Sequence, residues 1–593
     1  MALGLAVYFE CKTLLRNGLL IAAASALVIA KGWIAVPDPV NSLETPIRVV
    51  GALVVGIVVL LSTRIWTGLQ YQDALSKAGD NNPIPVIPSS IPFVGYALQL
   101  LWNVNSFLKT VRDDVTQNVF AVNFLGTKHV ILGSPALVES IGAKETEGLD
   151  NQTFVSALRR NILGLSNELP KGGNAATILA NDFYDNVFAE ANVKSLAKKA
   201  VILLKEHVPD LITFNESYVD QQMWERASLT TVADAQKDLS ESNLAMLVRD
   251  FVGHIINTSF AGVAFMDDYP AFNETLQNFE SKINLLATGL PRWVPIPGLP
   301  AGYIARRGLL TNLSSLQKSY ERELGGEDII STEEDVGDFS AAFTASKRIF
   351  AEKDVPSTVQ SHAHLYMIWA LNAVARDLVF WMMIHILAEP GLVDRIREEA
   401  HIYARATQPK NDFGIMEPPR LDIDLDGLES KCPLLLSCYM ETVRLYNNAW
   451  SVNTAKQDVV ITDTSTGGIS VRYLVKKSEF VDISNSLLNT DSQHRSPGKF
   501  IADRFVVHDE GHKATKADWG TVRHDSGMWR MGELDRFAQS LCLATVATVL
   551  GVWKIDPVAA DGWKIPRRGE GPVVARPRGD VRVRIGRAPL ASK

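Results

Sequence analysis

The apolar residues of the chain are concentrated first in two continuous runs. Leu19 to Ala30 forms a short run, and Ile47 to Trp66 forms a longer one, with Arg48 near its beginning and Arg64 near its end. The uncharged stretch between the two arginines is long enough to cross a bilayer with little tilt, because arginine side chains can reach the interface. We therefore predict that residues 1–70 form a membrane anchor with one or two transmembrane segments. A pair of buried core helices is the alternative.

A proline-rich segment follows these apolar runs. Four prolines lie within residues 83–92, and proline removes a backbone donor and disrupts helices. The segment is therefore predicted to be an extended, stiff connector. We assign residues 71–98 to this hinge and residues 99–593 to a catalytic-type body.

The body shows mainly helical periodicity with a minor strand component. Apolar residues recur at helical spacing in five long segments: Glu190–His207, Asn243–Ile256, Tyr366–Ala388, Leu434–Tyr446 and Leu534–Gly551. Strands are predicted by short runs of β-branched and aromatic residues: Val119–Phe124, His129–Leu132 and the region Val459–Phe480. The predicted fold is mainly α with a small β region.

Charge and cysteine content narrow the function classes. The net charge is −7, without the basic stripe typical of nucleic-acid binding, so we expect no nucleic-acid partner. The four cysteines form no CxxC pair, which excludes a typical zinc or disulfide framework and fits a reducing, cytosol-facing compartment. His508 and His512 are four residues apart, but glycine and polar neighbours indicate a solvated loop. No metal site is predicted.

Several motifs occur in a characteristic order along the body: Phe93-Val-Gly-Tyr96, Pro390-Gly-Leu392, Glu441-Thr-Val-Arg444, Asp503-Arg504-Phe505 and the region Arg530–Asp556. In this order they resemble the cytochrome P-450 family, and most closely its fungal, membrane-bound, sterol-demethylase-like members. The resemblance covers about residues 83–560. It implies a cytochrome P-450-like fold behind the anchor, and a buried charge triad of Glu441, Arg444 and Arg504.

The same resemblance implies a cellular setting and a class of substrate. Family members of this kind lie on the endoplasmic reticulum membrane with the body facing the cytosol, and their cavities take lipophilic molecules. The expected partners are therefore the membrane and a lipophilic small molecule, such as a terpenoid intermediate of fungal secondary metabolism. A flavoprotein reductase is expected only if heme is bound.

The chain departs from the family at the residue that ligates the heme iron. Family members hold the iron through a cysteine thiolate, which favours O–O cleavage. Aligning on Arg530 places Gly532 at that position, a shift of one residue places Met531 there, and no nearby register supplies cysteine. The acid and threonine of the family's central helix correspond to Val374 and Ala375. Ordinary monooxygenation is therefore not expected.

Because of these departures, we expect no cofactor. Heme held through the Met531 thioether, with Arg530 and Gly532 beside it, is the disfavoured alternative. On the predicted central helix, His364, Ile368, Asn372 and Ala375 share one face, which the resemblance places beside the old substrate cavity. Asn372 is then a candidate hydrogen-bond donor and His364 a candidate acid or base, but for both residues a satisfied structural role is the favoured interpretation.

Four functions are compatible with these observations. The first, which we favour, is a cofactor-free catalyst of isomerisation, cyclisation or intramolecular Diels–Alder cycloaddition, acting by holding one substrate conformer. The second is a monooxygenase with an aberrant heme ligand. The third is a non-catalytic lipophile-binding or scaffold protein. The fourth is a decayed enzyme, which the retained Glu441, Arg444 and Arg504 disfavour.

Overall fold

The computed structural model describes residues 44–77, 83–115, 118–124, 126–140, 148–165, 176–324, 338–409, 417–463, 471–490, 494–509, 514–519, 522 and 531–589. Its α-helices are α1 Glu44–Ser76, α2 Ala97–Asp114, α3 Pro135–Ser140, α4 Gln152–Leu163, α5 Asn181–Val187, α6 Glu190–His207, α7 Met223–Ala227, α8 Leu244–Ala261, α9 Val263–Asp268, α10 Phe272–Ser281, α11 Ile283–Ala287, α12 Leu299–Glu323, α13 Ala341–Glu352, α14 Ser357–Ala388, α15 Leu392–Ala400, α16 Leu425–Lys431, α17 Pro433–Tyr446, α18 Asn485–Asn489 and α19 Leu534–Val552.

The strands have at most six residues each and contain fewer residues in total than the helices. They are β1 Val119–Phe124, β2 Thr127–Leu132, β3 Leu149–Asp150, β4 Thr231–Asp234, β5 Leu239–Asn243, β6 Ala404–Thr407, β7 Arg420–Ile423, β8 Trp450–Ala455, β9 Val459–Asp463, β10 Val471–Val475, β11 Phe480–Ser484, β12 Val506–His508, β13 Ala514–Ala517, β14 Trp553–Pro557, β15 Arg567–Arg568, β16 Pro577–Arg578 and β17 Arg582–Arg587. The prediction of a mainly helical chain with a smaller strand region is confirmed.

Most predicted elements of the body coincide with observed ones. The bounds of α6 and β1 match their predictions, and α17 and α19 differ by single residues. The main difference is α14, which begins at Ser357 rather than Tyr366. Its first two turns carry serine, glutamine and histidine, so the apolar pattern that marks the rest of the helix is missing there. Tertiary packing extends the helix beyond its apolar signal.

The chain divides into two compact units. The first contains the described residues up to Asn161, together with 284–291 and 450–488. Its five-stranded sheet has the order β1-β2-β11-β8-β3. Strand β2 pairs antiparallel with β1 and parallel with β11. Val119, Val130 and Val481 lie on its buried side, as the alternation of β-branched residues predicts.

The described part of the predicted hinge is extended. Two hydrogen bonds join it to β1: the Ala121 N–H donates to the Pro85 carbonyl at 2.9 Å, and the Ile87 N–H donates to the Ala121 carbonyl at 2.8 Å. The proline at 85 is compatible with this pairing because only its carbonyl is used. The anchor boundary predicted at residue 70 lies inside α1, which continues to Ser76.

The second unit comprises residues 162–283, 292–449 and 489–593, and is built around α14. This 32-residue helix packs against α8, α12, α17 and α19. Because neighbours surround it, almost every side chain from Val359 to Ile386 is buried. A helix that is apolar all round requires this kind of complete burial. The same unit contains a four-stranded sheet with the order β14-β17-β5-β4.

Membrane spanning was predicted for residues 47–66, which lie within α1. From Ile57 onward many large apolar side chains of α1 are exposed, including Leu61, Ile65 and Leu69. Within the described residues, one helix has the length and composition of a membrane span, namely Ser357–Ala388, and its apolar window is wholly buried. That helix is the core of the second unit. The run Leu19–Ala30 lies outside the described residues.

Candidate functional site

The three residues of the predicted charge triad lie together at the end of α17. The Arg444 Nε donates to Glu441 Oε2 at 2.7 Å, and the Arg504 Nε donates to the same oxygen at 2.8 Å. The Ile501 N–H and the Arg444 Nη2 donate to Glu441 Oε1. Arg444 also donates to the carbonyls of Asn489 and Pro497. This fully hydrogen-bonded arrangement is what a buried charge requires, and it fixes the chain after α17.

Position 532 is closed to any side chain. Gly532 has a φ of +47°, in the left-handed region that favours glycine. A Cβ at this position would lie 2.4 Å from the Phe188 carbonyl oxygen and 3.1 Å from the Asp185 carbonyl oxygen. The Gly532 N–H donates to Asp185 Oδ1 at 2.7 Å, and the Glu533 N–H donates to the Phe188 carbonyl at 2.9 Å. The start of α19 is therefore held against residues 185–188.

The sulfur next to position 532 in the sequence is the thioether of Met531, and the described cysteines have raised pKa values. Met531 is buried beside Gly532, and Arg530 lies outside the described residues. Cys432, Cys438 and Cys542 are buried free thiols. Burial raises the pKa of Cys432 to about 12 and raises the pKa values of Cys438 and Cys542. A thiolate ligand needs a lowered pKa, so these three cysteines suit apolar packing.

A thiolate-ligated heme therefore does not fit the described residues. The position that the resemblance assigns to the ligand has no room for Cβ, and no described cysteine has thiolate character. Ala375 occupies the position that the resemblance assigns to the family's threonine, and its carbonyl oxygen is 3.9 Å from the Cys542 sulfur of α19. Side chains of α14 and α19 are packed together at this point. Among the described residues, Met531 is the one whose sulfur adjoins the predicted ligand position in the sequence.

His364 is held on both sides of its ring by protein groups. Its Nδ1 lies 3.3 Å from the Gln317 amide nitrogen, its Nε2 lies 2.9 Å from the Ser346 hydroxyl, and its ring stacks on Phe343 at 4.4 Å. Burial and the nearby Lys347 lower the pKa of His364, so the imidazole is neutral. With both nitrogens engaged, this histidine links α12, α13 and α14 in a structural role.

Asn372 is buried within a short ladder of side-chain amides. Its Nδ2 donates to Asn257 Oδ1 at 2.8 Å and to the Ile368 carbonyl at 2.7 Å, while Asn257 donates onward to Asn273 Oδ1 at 3.3 Å. Its own Oδ1 is buried with no hydrogen-bond partner among the described residues. A buried acceptor without a partner costs stability. The amide nitrogen of Asn372, predicted to donate to a ligand, already donates to two protein oxygens, and only its Oδ1 is still able to form a hydrogen bond, as an acceptor.

One turn beyond Asn372 is a cluster of buried charges that the sequence analysis did not identify. Arg376 pairs with Glu280 of α10, which also accepts from Arg576 at 2.8 Å. Asp377 lies 3.2 Å from the Nε of Arg249 on α8. The Nε and Nη1 of Arg376 are buried without a partner in the described part of the chain. The signal that could have found this cluster is the adjacent pair Arg376-Asp377 inside an otherwise apolar helix.

The electrostatics of this cluster favour ionised groups. Burial alone would raise the pKa of Glu280, but Arg376, Arg576 and Arg249 outweigh it and lower the pKa to about 2. Asn372 and Arg376 are four residues apart, so they project from the same side of α14. Together they present an acceptor and unpaired guanidinium donors in a low-dielectric interior, where such groups interact strongly with developing charge.

No family model matches the chain. Among curated proteins, it is 22% identical to the cytochrome P450 monooxygenase efuG of Hormonema carpetanum, with 76% of this chain and 77% of that protein covered. It is 23% identical to the cytochrome P450 monooxygenase poxD of Penicillium oxalicum, with 82% and 90% covered. It is 26% identical to the cytochrome P450 monooxygenase nodJ of Hypoxylon pulicicidum over 35% of this chain and 40% of that protein. These homologues support placement in the cytochrome P450 superfamily.

Proposed function

We propose that this cytochrome P450-like protein of fungal secondary metabolism catalyses a step that is non-oxidative and independent of heme. The observation that carries the proposal is the closure of position 532 by the Phe188 carbonyl. The step would be an isomerisation, a cyclisation or an intramolecular Diels–Alder-type cycloaddition of a terpenoid or similar lipophilic molecule. Such reactions need no redox cofactor, since a pocket can accelerate them by holding one reactive conformer.

The polar groups of α14 support a role in charge stabilisation. A substrate carbonyl that gains negative charge during cyclisation would accept hydrogen bonds from the free Nε and Nη1 of Arg376. Glu280 keeps the guanidinium in place through its other nitrogen, Nη2. The free Oδ1 of Asn372 would accept a hydrogen bond from a substrate hydroxyl. In this proposal His364 supports the helix packing, because its two nitrogens are already hydrogen-bonded.

The proposal places the protein on the endoplasmic reticulum membrane with its body facing the cytosol, as the resemblance implies, and the exposed apolar side chains of α1 support the contact with a membrane. Ile57, Leu61 and Ile65 lie on one side of the helix at spacings of four residues, and all three are exposed. A continuous apolar surface of this kind calls for a lipid or protein partner. The membrane would also concentrate a lipophilic substrate next to the body.

The proposal is tested by combining a spectrum with a product analysis on the full-length protein in lipid nanodiscs. The protein would be produced with heme precursor supplied, and its absorbance recorded before and after dithionite and carbon monoxide. Candidate pathway intermediates would then be incubated without oxygen, reductant or reductase. We expect no thiolate-type carbonyl band, and a product that is an isomer of the substrate with unchanged mass.

Asn372→Ala is expected to slow formation of the isomer, while the exposed Asn278→Ala serves as the matched control and leaves the rate unchanged. A product that is one oxygen atom heavier and requires a reductase would overturn the proposal in favour of a monooxygenase with an aberrant ligand. In that case Met531→Ala should abolish the heme spectrum. Binding of an intermediate without turnover would instead favour a lipophile-binding or scaffold protein.

A further inference from the structure

We propose that a surface cleft of the second unit, formed by α7, α8, α9 and α10, binds a small neutral aromatic molecule that carries a hydrogen-bond donor such as a phenolic hydroxyl. The cleft has a volume of about 360 Å³, within the range of small-molecule sites. The site goes beyond the proposed function: it shares Asn273 with the amide ladder of Asn372 and lies near Arg376, but the ligand would contact neither Asn372 nor Arg376.

The walls of the cleft are aromatic and thioether side chains. Trp224, Tyr218, Met223 and Met266 line it. The Trp224 ring is fixed by its own hydrogen bond from Nε1 to the Leu211 carbonyl at 2.9 Å, and by an edge contact with Phe251 at 5.2 Å. A rigid indole offers a large apolar contact at low entropic cost. Aromatic rings therefore suit these walls better than flexible chains do, because aromatic pairs gain energy beyond the area that they bury.

A carboxylate lies on the floor of the cleft with one oxygen engaged and one free. Asp250 Oδ1 accepts from the Asn273 amide at 2.7 Å and from the Gln277 amide at 2.9 Å. In the described part of the chain, Oδ2 accepts no hydrogen bond. The two amides fix the orientation of the carboxylate. Gly253 leaves room for the Asn273 amide, because a Cβ at position 253 would lie 2.5 Å from Asn273 Oδ1. The Asp250 carboxylate therefore offers a hydrogen-bond acceptor of fixed orientation at the floor of the cleft.

A histidine one turn further along α8 supplies a second polar group. The Nδ1 of His254 is buried without a hydrogen-bond partner among the described residues. Its ring lies 5.3 Å from the Trp224 ring and 5.3 Å from the His207 ring. Burial, and then the neighbouring His207, lower the pKa of His254 to about 4, so its imidazole is neutral. A neutral imidazole presents one donor and one acceptor, which a ligand hydroxyl could use.

The charges around Asp250 decide between a neutral donor and a cation. Burial raises the pKa of Asp250, and Arg376 and Arg249 act against that shift. Arg376 and Arg249 also pair with Glu280 and Asp377, and Glu280 pairs with Arg576 as well. The buried charges around Asp250 therefore balance and leave no excess negative charge for a ligand ammonium. On the cleft wall, Glu274 is likewise matched by the opposite charge of Arg226, which lies 5.6 Å from the centroid of the Tyr218 ring. A neutral hydroxyl or amide N–H group is therefore the better match.

Fluorine NMR on the full-length protein in nanodiscs tests this site with 4-fluorophenol and, as a probe without the donor, 4-fluoroanisole. We expect 4-fluorophenol to bind with a Kd of about 1 mM, typical of so small a ligand, and 4-fluoroanisole to bind about tenfold more weakly. Asp250→Asn should weaken 4-fluorophenol about tenfold. Ala271→Trp, which fills the cleft, should abolish the signal change.

Ala264→Trp is the matched control, because Ala264 is exposed on α9 but is not part of the cleft, and it should leave binding unchanged. Ala227→Trp repeats the blocking test from α7 if Ala271→Trp fails to fold. Equal binding of the two probes would overturn the assignment of a donor ligand. Binding that survives both blocking variants, or no binding of 4-fluorophenol by the folded protein, would overturn the site.

Discussion

Replacing Gly532 by alanine tests the closed ligand position directly. The new methyl group would stand 2.4 Å from the Phe188 carbonyl oxygen, so the backbone of one of the two segments must move. A left-handed conformation costs an alanine about 1–2 kcal/mol, and overpacking adds about 1–3 kcal/mol. We therefore expect Gly532→Ala to lower the free energy of unfolding of the second unit by about 2–5 kcal/mol, measured by urea titration of tryptophan fluorescence.

Gly391→Ala is a control that separates the steric clash at position 532 from the cost of placing an alanine in the left-handed conformation. Gly391 has a φ of +74°, and a Cβ there would meet nothing within 4 Å. This control should lose only the conformational part, about 1–2 kcal/mol. If the two variants were equally stable, position 532 would have room for a side chain and the argument against a cysteine ligand would collapse. For the same reason, Gly532→Cys produced with heme precursor should give no thiolate-type carbonyl band.

Three further outcomes are expected. Glu441→Gln should lower the free energy of unfolding, measured by urea titration, by about 3–5 kcal/mol, because it leaves two arginines with a weaker partner. As a control, Glu479→Gln, in a partly exposed pair with Lys128 at 3.2 Å, should lower it by under about 1 kcal/mol. The pKa of Glu280 is lowered to about 2, so the ionised carboxylate stabilises the fold fully above its ordinary pKa of 4.5, and this stabilisation is lost as the pH falls from 4.5 towards 2. Glu280→Gln should therefore remove about 3 kcal/mol from the change in the free energy of unfolding between neutral pH and about pH 2. An acid profile that is the same in the variant would contradict the pairing. Replacing Ile57, Leu61 and Ile65 by lysine should reduce flotation of the full-length protein with phosphatidylcholine vesicles, and unchanged flotation would argue against α1 as the anchoring surface.

The sequence predicted those parts of the fold whose signal is local. The amphipathic spacing of residues 190–207 and the apolar length of 534–551 both produced helices close to their predicted bounds. The partners in the triad were inferred from a resemblance, and the structure brings Glu441, Arg444 and Arg504 together. The early start of α14 was missed because its first turns are polar, and packing against other helices stabilises them.

The candidate site was only partly predictable, since its groups meet through tertiary structure. The sequence marked Asn372 as a polar residue on an apolar helix, but Asn257 and Asn273 reach it from α8 and α10. Arg376 and Asp377 in the same helix could have indicated that partners exist, because buried charges require them, but this signal was not used. Nothing local identifies Glu280 or Arg576 as those partners. That position 532 is glycine and not cysteine was readable from the sequence, whereas the closure of this position depends on the backbone of Phe188.

The contact between Gly532 and the Phe188 carbonyl also limits how this protein could be redesigned. A cysteine introduced at position 532 would place its Cβ 2.4 Å from a backbone oxygen, and that conflict is relieved only if the segment at 185–188 shifts as well. A single substitution is therefore not sufficient to create a thiolate ligand here. An engineered heme site would need a second, permissive change in the segment at 185–188, made before or together with the cysteine.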